Sequence, residues 1–136
     1  MELQPYLFFD GRTDEALDFY RRALGAEVVM LMRFKDTPPG TPTMHTPEMA
    51  DKVMHARVRI GETVLFMSDG RCGSRPKFDG FSLSITVPTA AEAERIFSVL
   101  GEGGQVMMPM SPTFFAQRFG MLADRFGVPW QVIAGK

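Results

Sequence analysis

Apolar and polar positions change period along the chain in a fixed order, and the order runs through twice. Leu3 to Phe9 is an apolar, aromatic-rich run of strand length. Asp10-Gly11-Arg12 reads as a turn, and Thr13 as a helix N-cap. Ala16, Leu17, Tyr20, Ala23 and Leu24 then recur at helical spacing until Gly25 stops the helix. Asp14, Glu15 and Asp18 stand near its start and Arg21 and Arg22 near its end, as the macrodipole favours. Glu27 to Phe34 predicts a strand. Pro38, Pro39, Pro42 and Pro47 bar regular structure from residues 36–49, which predicts a long loop, either a lid or a plain surface excursion. Val53 to Ile60 alternates, Gly61-Glu62 turns, and Thr63 to Ser68 returns, which predicts a hairpin.

After a Gly- and Arg-rich stretch at 70–79, the order repeats. Phe81 to Val87 predicts a strand, and Thr89 with Glu92 has the spacing of a capping box. Ala93, Ile96, Phe97 and Leu100 form a helical stripe that Gly103-Gly104 ends. Strands follow at 105–110, 116–124 and 128–133. The halves also match residue by residue. Gly25-Ala26-Glu27-Val28-Val29-Met30 returns as Gly103-Gly104-Gln105-Val106-Met107-Met108, with one residue inserted, and Phe19-Tyr20 as Ile96-Phe97. The pattern predicts an α+β fold of one domain over 1–136. It consists of two βαβββ modules, 1–69 and 80–136, joined by a 70–79 linker.

Strand alternation assigns faces. A two-residue turn at 61–62 opposes Ile60 to Thr63, Val58 to Leu65 and Ala56 to Met67, an apolar face suited to the helix. The opposite face carries His55, Arg57 and Arg59 against Ser68, Phe66 and Val64. In the second half, Ser82, Ser84 and Thr86 form the polar face of their strand. A polar face on a scaffold that already has a core is a binding site by default.

Composition narrows the partners. Hydrophobic residues at 45% and charged residues at 23% exclude general disorder. A net charge of −1 removes the basic footprint of a nucleic-acid binder. No apolar run reaches the roughly 20 residues that span a bilayer, and the N-terminus lacks a signal peptide's basic and cleavage regions. The single cysteine, Cys72, excludes an internal disulfide and predicts a cytoplasmic protein. Cys72 lies between Arg71 and Arg75, and a loop thiol is the simpler reading than a nucleophile. The 11 methionines fill core gaps or line a pliable pocket, according to the way each strand turns them.

Several motifs together resemble one known family. They are Tyr6-Leu7-Phe8-Phe9-Asp10-Gly11, Glu15 to Tyr20, Leu24-Gly25, Met54-His55-Ala56, Ile60-Gly61, Met67-Ser68-Asp69, Phe119-Gly120-Met121 and Asp124 to Trp130. The chain resembles the PhnB-like, or 3-demethylubiquinone methyltransferase-like, branch of the glyoxalase/bleomycin-resistance/dioxygenase (vicinal oxygen chelate) superfamily. That resemblance implies concave half-barrels, with helices outside and a ligand or metal inside. It also implies a homodimer. Metal-using members of the superfamily draw four His or Glu ligands from four strands. Those positions fall here at Pro5, near Phe66, at Ser82 and at Gln131, which are not divalent-metal donors of that kind. The resemblance therefore implies no metal and no cofactor. The alternative is a relocated metal site of His55 with Asp69 or Asp10. A Rossmann-like S-adenosylmethionine site wants a glycine-rich turn after a strand, and Asp10-Gly11-Arg12 has one glycine.

The expected function is metal-free binding of a small, partly apolar and anionic ligand. Its expected contacts are Arg57, Phe66, Ser68, Ser82, Ser84, Phe115 and Gln131. His55 is the candidate for acid or base work, against a purely structural pairing with neighbouring side chains. Either Gln117 or Arg118 faces inward. The rival readings are an enzyme (a lyase, isomerase or dioxygenase) using His55 or a relocated metal, and a dimeric module whose Met and Phe side chains fill the concavity.

Overall fold

The computed structural model describes residues 1–38, 40, 46–70 and 76–136. His45, Cys72 and the rest of residues 71–75 lie outside the described residues. The chain divides into two compact units, Met1–Pro76 and Lys77–Lys136.

The first unit runs β1 (Tyr6–Phe8), α1 (Thr13–Leu24), β2 (Glu27–Arg33), β3 (Val53–Ile60) and β4 (Thr63–Ser68). Its sheet order is β1-β4-β3-β2, with β1 parallel to β4 and the other pairs antiparallel. The second unit runs β5 (Leu83–Val87), α2 (Ala90–Leu100), β6 (Gln105–Ser111), β7 (Ala116–Ala123) and β8 (Pro129–Gly135). Its order, β5-β8-β7-β6, with β5 parallel to β8, is the same topology. The correspondence extends to a defect. The β2–β3 ladder slips between Val28 and Met30, and the β6–β7 ladder slips between Val106 and Met108, at positions the sequence repeat aligns. Each unit is thus a βαβββ module of an α+β fold.

The hairpin register follows from the short turn at Gly61 (φ 59°), where a left-handed residue is required. Ala56 faces Met67, Arg57 faces Phe66 and Val58 faces Leu65, as alternation predicts. Ala56, Val58, Leu65 and Met67 are buried with Leu17, Phe19 and Tyr20 of α1. Fully burying side chains of the larger kinds contributes roughly 1.5–3 kcal/mol each. In the second unit Trp130, Val132 and Ala134 of β8 are buried with Ala93, Ile96 and Leu100 of α2.

Some expectations need correction. The first strand starts at Tyr6 rather than Leu3, and Phe81 and Ser82 precede β5. The described part of 36–49 carries short 3₁₀ turns, with Asp36 ending one over 34–36 and Pro47 opening another over 47–49. Thr13 is not the N-cap of α1 but its first residue, after Arg12. The helix start is instead capped across the sheet. Asp69 Oδ1 accepts from Gly11 N (2.8 Å), Thr13 N (3.1 Å) and Thr13 Oγ1 (2.6 Å), and Oδ2 accepts from Val53 N (3.0 Å). Thr89 does cap α2, its hydroxyl accepting from Glu92 N (3.2 Å).

Candidate functional site

The face of the first sheet turned away from α1 collects most of the charged and titratable candidates. Strand alternation places His55 and Arg57 of β3, Phe66 of β4 and Tyr6 of β1 on it. The register supports this, since Tyr6 lies opposite Phe66 and Phe66 opposite Arg57. Met30 faces Arg57 and Met32 faces His55 across the β2–β3 ladder, so two methionines border the cluster while Met67 is buried behind it. Met67 is thus core filler, while Met30 and Met32 lie beside Arg57 and His55.

The rings form a continuous bed. Phe66 lies 5.2 Å from the His55 ring and 5.5 Å from the Tyr6 ring, and Tyr6 stacks on Phe8 at 4.7 Å. Arg57 Cζ sits 5.8 Å from the Phe66 centroid, within cation–π range. The guanidinium is exposed and makes no ion pair with a described residue. Arg59 differs, because Glu27 opposite it closes a 2.6 Å salt bridge. Among the described residues of this cluster, Arg57 thus has no ion-pair partner.

Tyr6 Oη lies 2.8 Å from His55 Nδ1. Partial burial, and secondarily the Arg57 charge, hold the His55 imidazole below its ordinary value of 6.5, so it is neutral at pH 7. Burial raises the Tyr6 phenol, partly offset by a hydrogen bond with Ser68, and keeps it protonated. Ser68 itself is buried, its hydroxyl bound to Met54 O (2.5 Å) and to Gly70 N (2.8 Å). It shares the strand face of Phe66, and its hydroxyl is engaged by the backbone of β3 and of Gly70.

In the second unit Ser84 lies opposite Gln131 in the parallel β5–β8 pair, and Met121 lies opposite Gln131 across β7. Ser82 stands just before β5. Phe115 is half-exposed and packs edge-on against Phe119 and Phe114, both at 5.2 Å. Arg118 ion-pairs with Glu94 of α2 (3.2 Å), so it belongs to the helix side, while the Gln117 amide donates to Gly135 O.

The positions that the resemblance assigns to metal ligands, Pro5, Phe66, Ser82 and Gln131, carry no His or Glu. Tyr6, not Pro5, shares the face of Phe66, and Ser84, rather than Ser82, lies beside Gln131. Neither pair, a phenol with a phenyl ring nor a hydroxyl with an amide, supplies the His or Glu donors of such a site. The relocated set with Asp69 fails too, because that carboxylate is buried and takes four protein donors. Among the described residues no three His, Cys, Asp or Glu side chains cluster. The same carboxylate fills the N-terminus of α1, where a glycine-rich cofactor turn would direct its free N–H groups.

A family model described as 3-demethylubiquinone-9 3-methyltransferase matches residues 1–133. The chain belongs to the 3-demethylubiquinone-9 3-methyltransferase family. Protein YjdN of Escherichia coli (strain K12) is 34% identical over 140 residues, covering 97% of this chain and 94% of its own. Protein PA1353 from Pseudomonas aeruginosa is 40% identical with a TM-score of 0.86, over 99% of this chain and 98% of that one. The PhnB protein from Bacillus cereus is 26% identical with a TM-score of 0.81, over 99% and 100%. The fold is similar to that of a glyoxylase/bleomycin resistance protein/dioxygenase domain from Frankia sp. EAN1pec (TM-score 0.68, 16% identity, over 100% of this chain and 98% of that one) and of the fosfomycin resistance protein FosX from Listeria monocytogenes (TM-score 0.67, 11% identity, over 99% and 94%). Tyr6 and Phe8 are the site residues that sequence reasoning missed. The signal was present in the parallel alternation of β1 against β4.

Proposed function

We propose that this protein binds a small, partly apolar, anionic molecule on the open face of its first sheet, without metal and without methyl transfer. The observation that carries this reading is Arg57. Its exposed guanidinium faces no carboxylate among the described residues and lies over Phe66, within an aromatic bed. A planar anion satisfies both features, its carboxylate on the guanidinium fork and its apolar body on the rings. The second sheet, taken by itself, carries Ser82, Ser84, Gln131 and Phe115 as neutral hydrogen-bonding and aromatic groups. The protein works as a cytoplasmic homodimer. The exposed Val106, Met107 and Met108 of the edge strand β6 support a partner surface. No helix of the described residues is long and apolar enough to cross a membrane.

The test is a charge series on one ring. Benzoate, benzyl alcohol and benzylamine are titrated against the protein by ligand-observed NMR. The expected order of affinity is benzoate, then the alcohol, then the amine, and Arg57→Gln removes the preference. Equal binding of benzylamine and benzoate, or no binding of any of the three, contradicts the reading.

A further inference from the structure

We propose that Tyr6 and His55 form a proton-relay pair that catalyses keto–enol tautomerisation of an aryl-substituted 2-oxo acid. The inference rests on the anionic aromatic ligand class proposed above and adds a reaction to it. A passive anion site needs a cation and a surface. This face holds something more, a phenol and an imidazole in direct contact at 2.8 Å. His55 Nε2 makes no hydrogen bond to a described residue and is the imidazole's free edge. Burial and the Arg57 charge favour the neutral ring, which is the form a base requires.

Spacing selects the substrate class. His55 and Arg57 are alternate residues on one strand face, so their backbones stand roughly 6.6 Å apart. In this proposal a carboxylate held by Arg57 sets the carbon two bonds away at His55, the next side chain on the same strand face. The aryl group of such an acid then meets Phe66, which neighbours both the His55 ring and the Arg57 guanidinium.

The step balances without a co-reactant. In the starting tautomer His55 Nδ1–H donates to Tyr6 Oη, and Tyr6 O–H donates to the substrate carbonyl. His55 Nε2 takes the C3 proton as the C3–H bond breaks, and that electron pair becomes the C2=C3 bond. The carbonyl π pair moves to oxygen, which takes the Tyr6 proton. Tyr6 oxygen recovers a proton from His55 Nδ1. The enol leaves, His55 has exchanged tautomers, and solvent at its exposed edge or the reverse reaction restores it.

The test follows deuterium incorporation at C3 of phenylpyruvate in D2O by proton NMR, alongside benzoate binding. The expected result is acceleration over buffer that Tyr6→Phe and His55→Gln each reduce by about 10²–10⁴-fold, the usual span of general acid–base catalysis. The rate should also fall as pH drops and His55 gains a proton. Benzoate, held by Arg57 and Phe66, reports together with far-UV circular dichroism that the variants are folded. Exchange at the buffer rate with benzoate bound overturns the relay and leaves the binding reading intact. Acceleration that survives both substitutions overturns it as well. Failure of benzoate to bind the wild-type protein overturns the binding reading and, with it, this one.

Discussion

Replacing Asp69 by Ala tests how the first module is closed. The carboxylate is fully buried and takes four donors among the described residues, three on Oδ1 and one on Oδ2. Gly11 is part-exposed and can recover a water, but Thr13 and Val53 are fully buried. An orphaned buried donor costs about 1–3 kcal/mol, and bonds to a charged acceptor stand at the upper end. The Thr13 amide, the Thr13 hydroxyl and the Val53 amide together then cost about 4 kcal/mol once their mutual dependence is allowed for. For a chain of this size that lowers Tm by roughly 12 °C. Asp69→Asn keeps one oxygen for the three Oδ1 donors but turns an amide N–H2 toward Val53 N–H, so about half the loss is expected. Thr13→Val removes one donor, and its effect should largely vanish in the Asp69→Ala background. Urea denaturation followed by far-UV circular dichroism gives the energies. Amide exchange at Gly11, Thr13 and Val53 gives the location. A loss below about 1 kcal/mol in Asp69→Ala, or unchanged protection of those three amides, refutes the latch.

Other consequences are separately measurable. Since burial depresses the His55 pKa below 6.5, the unfolded chain takes up the proton first as pH falls. The corresponding stability is present above pH 6.5 and is lost as pH drops through the folded-state pKa, and His55→Gln should flatten that part of the curve. Arg57→Gln should move the His55 titration upward in NMR, but not fully to its ordinary value, because burial is the larger cause. Gly104→Ala should destabilise the second module by about 1–3 kcal/mol in urea denaturation. A Cβ there would stand 2.2 Å from Ala123 O and 2.8 Å from the Asp124 carbonyl carbon, both backbone atoms that cannot turn aside.

The strongly periodic parts of this chain are readable without coordinates. Helix stripes and a hairpin with a two-residue turn leave little choice of register, and a one-residue slip would turn Ala56 and Met67 outward. What escapes is long-range. Thr13 has the chemistry of an N-cap, and only the chain's return at Asp69 shows that its hydroxyl donates instead of accepting. Arg59 looks equivalent to Arg57 until the β2–β3 pairing brings Glu27 against it. That pairing contains slips, and a bulge has no period to read. Tyr6 was visible as an aromatic, but its partnership with His55, 49 positions away, depends on the parallel pairing of β1 with β4. The candidate site was therefore located by alternation, while its charge balance and its hydrogen bonds came from the fold.

The central claim is that an anionic aromatic ligand occupies the Arg57 face of the first sheet. The most direct measurement is a benzoate titration of protein carrying ¹³C-methyl methionine, with resonances assigned by substitution. Met30 and Met32 lie opposite Arg57 and His55, Met67 is buried on the helix side, and Met121 lies opposite Gln131 in the second unit. The account predicts saturable shifts of Met30 and Met32, with Met67 and Met121 little changed and the response abolished by Arg57→Gln. Shifts confined to Met121, or saturable shifts that persist in Arg57→Gln, contradict it.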